Sequence, residues 1–136
     1  MAEHTIKAFD DEIDRLRGLI AEMGGRAEAA IENAMLALQR HDKVLAAEVV
    51  ADDRRIDAIE AEVEKLVVEV IALRAPMAND LRDVIAALKI VSVVERIGDY
   101  AKNIAKRVPL VATNSRTVEP VSLLPSMGQV AGEMVH

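Results

Sequence analysis

Two short segments of this chain carry acids at a spacing that can do chemistry. Asp53-Arg54-Arg55-Ile56-Asp57 and Glu95-Arg96-Ile97-Gly98-Asp99 each hold two carboxylates four residues apart, a step that places both on one face of an α-helix. At about 100° per residue, Glu60 joins Asp53 and Asp57 on a stripe beside an apolar seam. Acids gathered in this way raise one another's pKa or recruit cations, because like charges a few ångströms apart in a partly desolvated site repel strongly. Oxygen ligands with no thiolate and no nearby imidazole suit a divalent or trivalent ion such as Mg²⁺, Mn²⁺, Ca²⁺ or oxidised iron. The same pattern also describes a solvated face neutralised by Arg54, Arg55, Arg96 or Lys102. Spacing alone leaves both readings open.

Other chemistries find no support. The three histidines, His4, His41 and His136, fall at helix ends or the chain end, and none makes the Glu-x-x-His step of di-iron carboxylate bundles. With no cysteine, disulfides, thiolate metal sites and cysteine nucleophiles are excluded, as a reducing compartment would favour. Met23-Gly24-Gly25 lies inside a helical heptad, so it is no phosphate-cradling loop, and no serine or threonine sits beside a recognisable base. Met23, Met35 and Met77 read as core filler. A net charge of −6 and only two aromatic rings, Phe9 and Tyr100, argue against nucleic-acid binding, which needs a basic field and stacking platforms.

The elements that must position the acids are helices. Ile6, Phe9, Ile13, Leu16, Ile20, Met23, Ala27, Ala30 and Ala34 recur at alternating steps of three and four, the seam of a helical bundle. The phase continues across Gly24 and Gly25, which predicts one long helix with a weak point, ending near His41. Asp42 is a candidate N-cap for a second helix. Its seam is Leu45, Val49, Ile56, Ile59, Val63, Leu66, Val70 and Leu73, with Asp52 at the one seam position that is not apolar. Arg74-Ala75-Pro76 ends that helix. A third is expected from about Asn79 to Val108, ending at Pro109 before the Thr113–Thr117 stretch. Short turns between long helices predict an all-α, antiparallel three-helix bundle.

If the second and third helices form a hairpin about Pro76, positions equally far from the turn meet. Val67 then lies level with Ile85 and Ile71 with Leu81, an apolar contact that Val68 and Leu88 extend. Farther from the turn Asp57 lies level with Glu95 and Asp53 with Asp99, beside Ser92, so apolar meets apolar and acid meets acid. Residues 4–110 make the bundle, and 111–121 read as a linker. Leu19, Met23, Gly24 and Ala27 recur at a constant offset as Leu123, Met127, Gly128 and Ala131, so 122–136 are expected to open a second, incomplete repeat. Leu123, Leu124, Met127, Val130 and Met134 would form its apolar face, which is expected to pack against another copy and make a homo-oligomer. Charges run throughout residues 1–20, and no apolar stretch approaches the ~20 residues of a membrane span. The expectation is a soluble, cytoplasmic protein without a signal peptide.

Arg74-x-Pro76-x-Ala78-x-Asp80-Leu81-Arg82, with Ile85, Lys89 and Glu95-Arg96-Ile97-Gly98-Asp99-x-Ala101-x-Asn103-Ile104, resembles the PhoU family. The resemblance extends through His4-Thr5-x-x-x-Phe9-Asp10 and Asp53-x-x-x-Asp57, covering residues 4 to 110. It implies the fold of one of two tandem three-helix bundles, the second here cut off after its opening helix. Asp/Glu-x-x-x-Asp motifs bind metal ions or multinuclear iron clusters in some family members, and Asp53, Asp57, Glu95 and Asp99 match those positions. The implied function is negative regulation of phosphate uptake and phosphate-starvation signalling. The implied partners are a membrane sensor histidine kinase and the ATPase of the phosphate ABC transporter, with only peripheral contact to those membrane complexes. Two other functions compete with a non-catalytic adaptor: a metal-dependent carboxylate-bundle enzyme, and a structural helical oligomerisation module.

Overall fold

The computed structural model describes residues 2–113, with side chains for 7–111. Three helices make up this region, α1 (Ala2–Arg40), α2 (Lys43–Arg74) and α3 (Ala78–Thr113), and each packs on both others. The apolar seam dictates this arrangement, since a long amphipathic helix gains most of its stability from burying its stripe against neighbours. On α1, Leu16, Met23, Ala27, Ala30 and Ala34 are buried, with Phe9, Ile13 and Ile20 packed at the margin. The helix runs through Gly24 and Gly25 without interruption.

Both turns are built from backbone hydrogen bonds and one side-chain cap. His41 takes a left-handed conformation (φ 53°). Its N–H donates to the Leu38 carbonyl and that of Asp42 to the Ala37 carbonyl, satisfying carbonyls that the end of α1 leaves open. Asp42 then caps α2, its side chain accepting from the Leu45 N–H at 3.0 Å, as expected. Ala75 closes α2 in a left-handed conformation (φ 42°), its N–H donating to the Ile71 carbonyl, and Pro76 follows. Two ion pairs tie the start of α1 to α2: Arg15 with Glu62 and Arg74 with Glu12, each at 2.8 Å. The first is largely exposed and contributes little. Arg74, prominent in the motif, thus holds the hairpin turn against α1.

Three expectations need correcting. Asp52 is exposed and Asp53 is the buried acid on α2, because a helix of 3.6 residues per turn drifts against a strict heptad and here follows 49–53–56. The apolar face expected above the acids is the margin of the contact, not its centre. Ile85 is 42% exposed, Val68 and Ile71 are exposed, and Leu81 and Leu88 are half-buried, whereas Val67, Val70, Val84, Ala87, Val91 and Val94 fill the core. A two-helix hairpin would use one face per helix, but α1 also packs on α3 and shares its inward face. Finally, α3 runs past Pro109 to Thr113, so the first residues of the expected 111–121 linker are helical. Proline's fixed φ is compatible with a helix and its missing N–H removes one bond, while Val108 and Val111 pack the last turn on the core. The rest of the linker and the second-repeat segment 122–136 lie outside the described residues.

Candidate functional site

The acids lie along the α2–α3 contact, on the half away from Pro76. Asp53 is 4% exposed, the only buried charged or polar side chain among the described residues. Room for it comes from Gly98: a methyl group at that position would meet Asp53 Oδ1 at 3.4 Å and Ile56 Cδ1 at 3.3 Å. The sequence thus places a glycine between Glu95 and Asp99 where a side chain would press on the carboxylate. Lys102 Nζ reaches Asp53 Oδ2 at 3.4 Å. Of the four cations that the sequence offers as neutralisers, Lys102 alone does so; Arg54, Arg55 and Arg96 are exposed and form no ion pair among the described residues. Burial and the neighbouring Asp57 push the Asp53 carboxyl up, against the opposing pull of Lys102.

Beyond Asp53 the stripe opens toward solvent. Asp57 and Asp99 are exposed, and Glu60 and Glu95 are half-buried. The Glu95 carboxyl is pushed up to about 7, first by its hydrogen bond with Asp99, then by burial and by the charges of Asp99, Glu60 and Asp57. Glu95 holding its proton is the donor that such a hydrogen bond to the Asp99 carboxylate, one turn on, requires. Glu60 is raised by burial and by Glu64, Asp57, Asp99 and Asp53. The five carboxylates of the sequence analysis thus form one mutually repelling group spanning two helices.

As a donor set, five carboxylates without sulfur or imidazole fit a hard cation in kind. As the side chains stand, no three carboxylate or imidazole groups among the described residues are gathered closely enough to hold one ion. Asp53 is already engaged by Lys102. Holding an ion would require the exposed Asp57 and Asp99 to turn toward Glu60 and Glu95, a rotation that solvent-facing side chains make freely.

The profile of the PhoU domain matches residues 20–108, a span that contains α2, most of α3 and every acid of the site. The chain belongs to the PhoU family. It is 52% identical over 133 residues to the phosphate-specific transport system accessory protein PhoU homolog of Zymomonas mobilis, covering 98% of this chain and 56% of that protein. It is 42% identical over 136 residues to the homolog of the same description from Caulobacter vibrioides, covering all of this chain and 57% of that one. The fold superposes on the crystal structure of PhoU from Pseudomonas aeruginosa with a TM-score of 0.88 at 31% identity, over 93% of this chain and 61% of that one. The chain spans about half the length of the curated relatives it matches. The all-α bundle inferred from the seams is the family's fold. Among the described residues, no helix is long and apolar enough to cross a membrane.

The site residues named from spacing are brought to one face, and Lys102 emerges as the partner of the innermost acid. Two features escaped the sequence reading. One is that Asp53 and not Asp52 turns inward; the other is that Gly98 makes space for it. A glycine in a helix interior, where it costs about 1 kcal/mol relative to alanine, was the available signal for a close approach.

Proposed function

We propose that this chain is a non-catalytic adaptor that regulates phosphate uptake and represses phosphate-starvation signalling. It would act by contact with a sensor histidine kinase and with the ATPase of a phosphate ABC transporter. The reading is supported by the family and by relatives named as accessory proteins of phosphate-specific transport. The observation that carries it is the facing of Asp53, Asp57 and Glu60 on α2 and Glu95 and Asp99 on α3 across one interface, with the Glu95 pKa near neutrality. Such a group responds to cations, and the relatives' description as accessory proteins favours regulation over turnover.

On this reading Asp57, Glu60, Glu95 and Asp99, with Asp53 at the inner end, supply oxygen ligands to a Mg²⁺, Mn²⁺, Ca²⁺ or iron ion. The ion would neutralise their repulsion and bridge α2 to α3. The adaptor acts in the cytoplasm, touches membrane complexes only peripherally, and works as a homo-oligomer.

A bacterium lacking its own accessory protein and carrying a phosphate-starvation reporter tests the regulatory half. Expression of this chain should lower reporter output in high phosphate. An unchanged reporter, with the folded chain present in the cell, overturns the adaptor reading. Metal-dependent turnover of a phosphate ester would replace it with the enzyme reading. For the cation, wild type should melt higher in Mn²⁺ than in chelator, and Asp57→Asn/Glu95→Gln should melt alike in both.

A further inference from the structure

The flank of α3 turned away from α2 has a character opposite to the acidic one. Ala86, Ile90, Val93, Ile97, Tyr100, Ile104 and Val111 follow alternating steps of three and four, apart from Arg107 in the same series, a second heptad seam on a helix whose first seam fills the core. Ile97 is buried, and Ile104 and Val111 pack at the core margin, but Ile90 and Val93 are exposed and Tyr100 is 62% exposed. Along the outer edge of this seam Arg82, Lys89 and Arg96 recur every seven residues, all exposed. None of them, nor Arg107, pairs with a carboxylate among the described residues. The α3 acids Glu95 and Asp99 lie on the other flank, with those of α2. A chain of net charge −6 thus carries a cationic row roughly 20 Å long, unpaired among the described residues, beside exposed apolar side chains.

We propose that this flank of α3 is a docking face for an acidic amphipathic helix of another protein. Val93 and Tyr100 would meet its apolar seam, and Arg82, Lys89 and Arg96 its flanking carboxylates. The seven-residue repeat of the cations matches the repeat at which a second helix presents its seam-flanking residues, the positions that set partner choice in helix pairing. Charge complementarity then requires those residues to be Glu or Asp. A second copy of this face would set cations against cations. An anionic lipid surface suits it poorly, because the large apolar face of α3 points into the bundle and the molecule as a whole is negative. The face stands on its own observations, apart from the acidic group on the opposite flank.

The test uses the full chain and a synthetic peptide of about four heptads, with Leu at the seam positions, Glu at the flanking ones and no aromatic residue. Tyr100 is the sole tyrosine and there is no tryptophan, so its emission reports directly on the face. The Glu peptide should change that emission with saturation, more weakly as salt rises. Its Lys-flanked counterpart should not. Lys89→Glu/Arg96→Glu should weaken binding of the Glu peptide at least tenfold and gain binding of the Lys peptide. Tyr100→Ala should weaken it several-fold, read by peptide circular dichroism, and keeps the test independent of whether the double variant folds. No saturable binding, equal binding of both peptides, or indifference to charge reversal each overturns the proposal. So does dimerisation of the chain through this face, seen as a monomer on Tyr100→Asp. Binding to phosphatidylglycerol vesicles in place of the peptide assigns the face to lipid and likewise overturns it.

Discussion

Near Pro76 and away from it, the α2–α3 contact is made of opposite materials. By the turn, buried Val67 and Val70 on α2 and Val84, Ala87 and Val91 on α3 belong to the aliphatic core. Farther along, the same inward positions carry Asp53 against Gly98, with Lys102 closing over it. Asp53 is as closed to water as the valines, and the polar half opens to solvent only beyond it, at Asp57, Glu60, Glu95 and Asp99. Within the polar half a second contrast appears. Asp53 is deeply buried but held by a lysine, whereas Glu95 is less buried and yet is the acid raised to about 7, since its first neighbour is another carboxyl. At Glu95 the neighbour outweighs the depth, whereas at Asp53 burial is the larger cause and Lys102 only opposes it.

The contrast between the two halves is broken most severely at the apolar one. Val84→Asp should unfold the bundle, because a carboxylate at a position 0% exposed has no partner and costs several kcal/mol against a domain stability of roughly 5 to 15 kcal/mol. Ile85→Asp, one residue on and 42% exposed, should change stability by under about 1 kcal/mol. Urea titration of both checks the pair, and equal losses would mean that the core face of α3 is misassigned.

Next in size is Lys102→Met. It leaves the Asp53 carboxylate buried without its cation and should cost about 2 kcal/mol at pH 7, the scale for a buried polar group left unpaired and below that for a fully buried pair, since Lys102 is partly exposed. The loss should shrink as pH falls and Asp53 takes up a proton. Asp53→Asn/Lys102→Met should recover most of it. A double-mutant cycle by urea unfolding measures the coupling.

Glu95→Gln acts in the opposite direction. A carboxyl whose folded pKa stands above its unfolded value binds more protons when folded, so its stabilising contribution is complete below about 4.5 and is lost as pH rises to about 7. Wild type should therefore lose stability over that window, by about 1 kcal/mol after allowance for solvent screening. Glu95→Gln should flatten the profile and be the more stable at pH 8 in chelator. Thermal melts from pH 4 to 8 give the answer.

Gly98→Ala should show the smallest effect. The added methyl gains about 1 kcal/mol of helix propensity but meets Ile56 Cδ1 at 3.3 Å and Asp53 Oδ1 at 3.4 Å. The isoleucine tip can swing aside, while the carboxylate is held by Lys102. A net loss under about 1 kcal/mol is expected, larger in Gly98→Val.

The residues themselves determined the three helices and the two turns between them, though not the end of α3, which runs past Pro109 to Thr113. Seams at alternating steps of three and four specify long amphipathic helices, Asp42 specifies a cap, and Pro76 a break, all through interactions between residues a few positions apart. The i,i+4 acids were likewise certain to share helix faces. Local spacing does not say how far a face turns inward once a third helix competes for it, and only packing decided that Asp53 lies inside and Asp52 outside, or that Val84 and not Ile85 anchors α3. It also chose Lys102 over Arg54, Arg55 and Arg96, since reaching a buried carboxylate depends on a lysine one turn beyond Gly98 being on the facing helix at the right height. The raised Glu95 divides the same way: its largest cause, the hydrogen bond with Asp99, lies one turn away on its own helix, while burial and the α2 charges that add to it act across distances that exist only after the chain has folded.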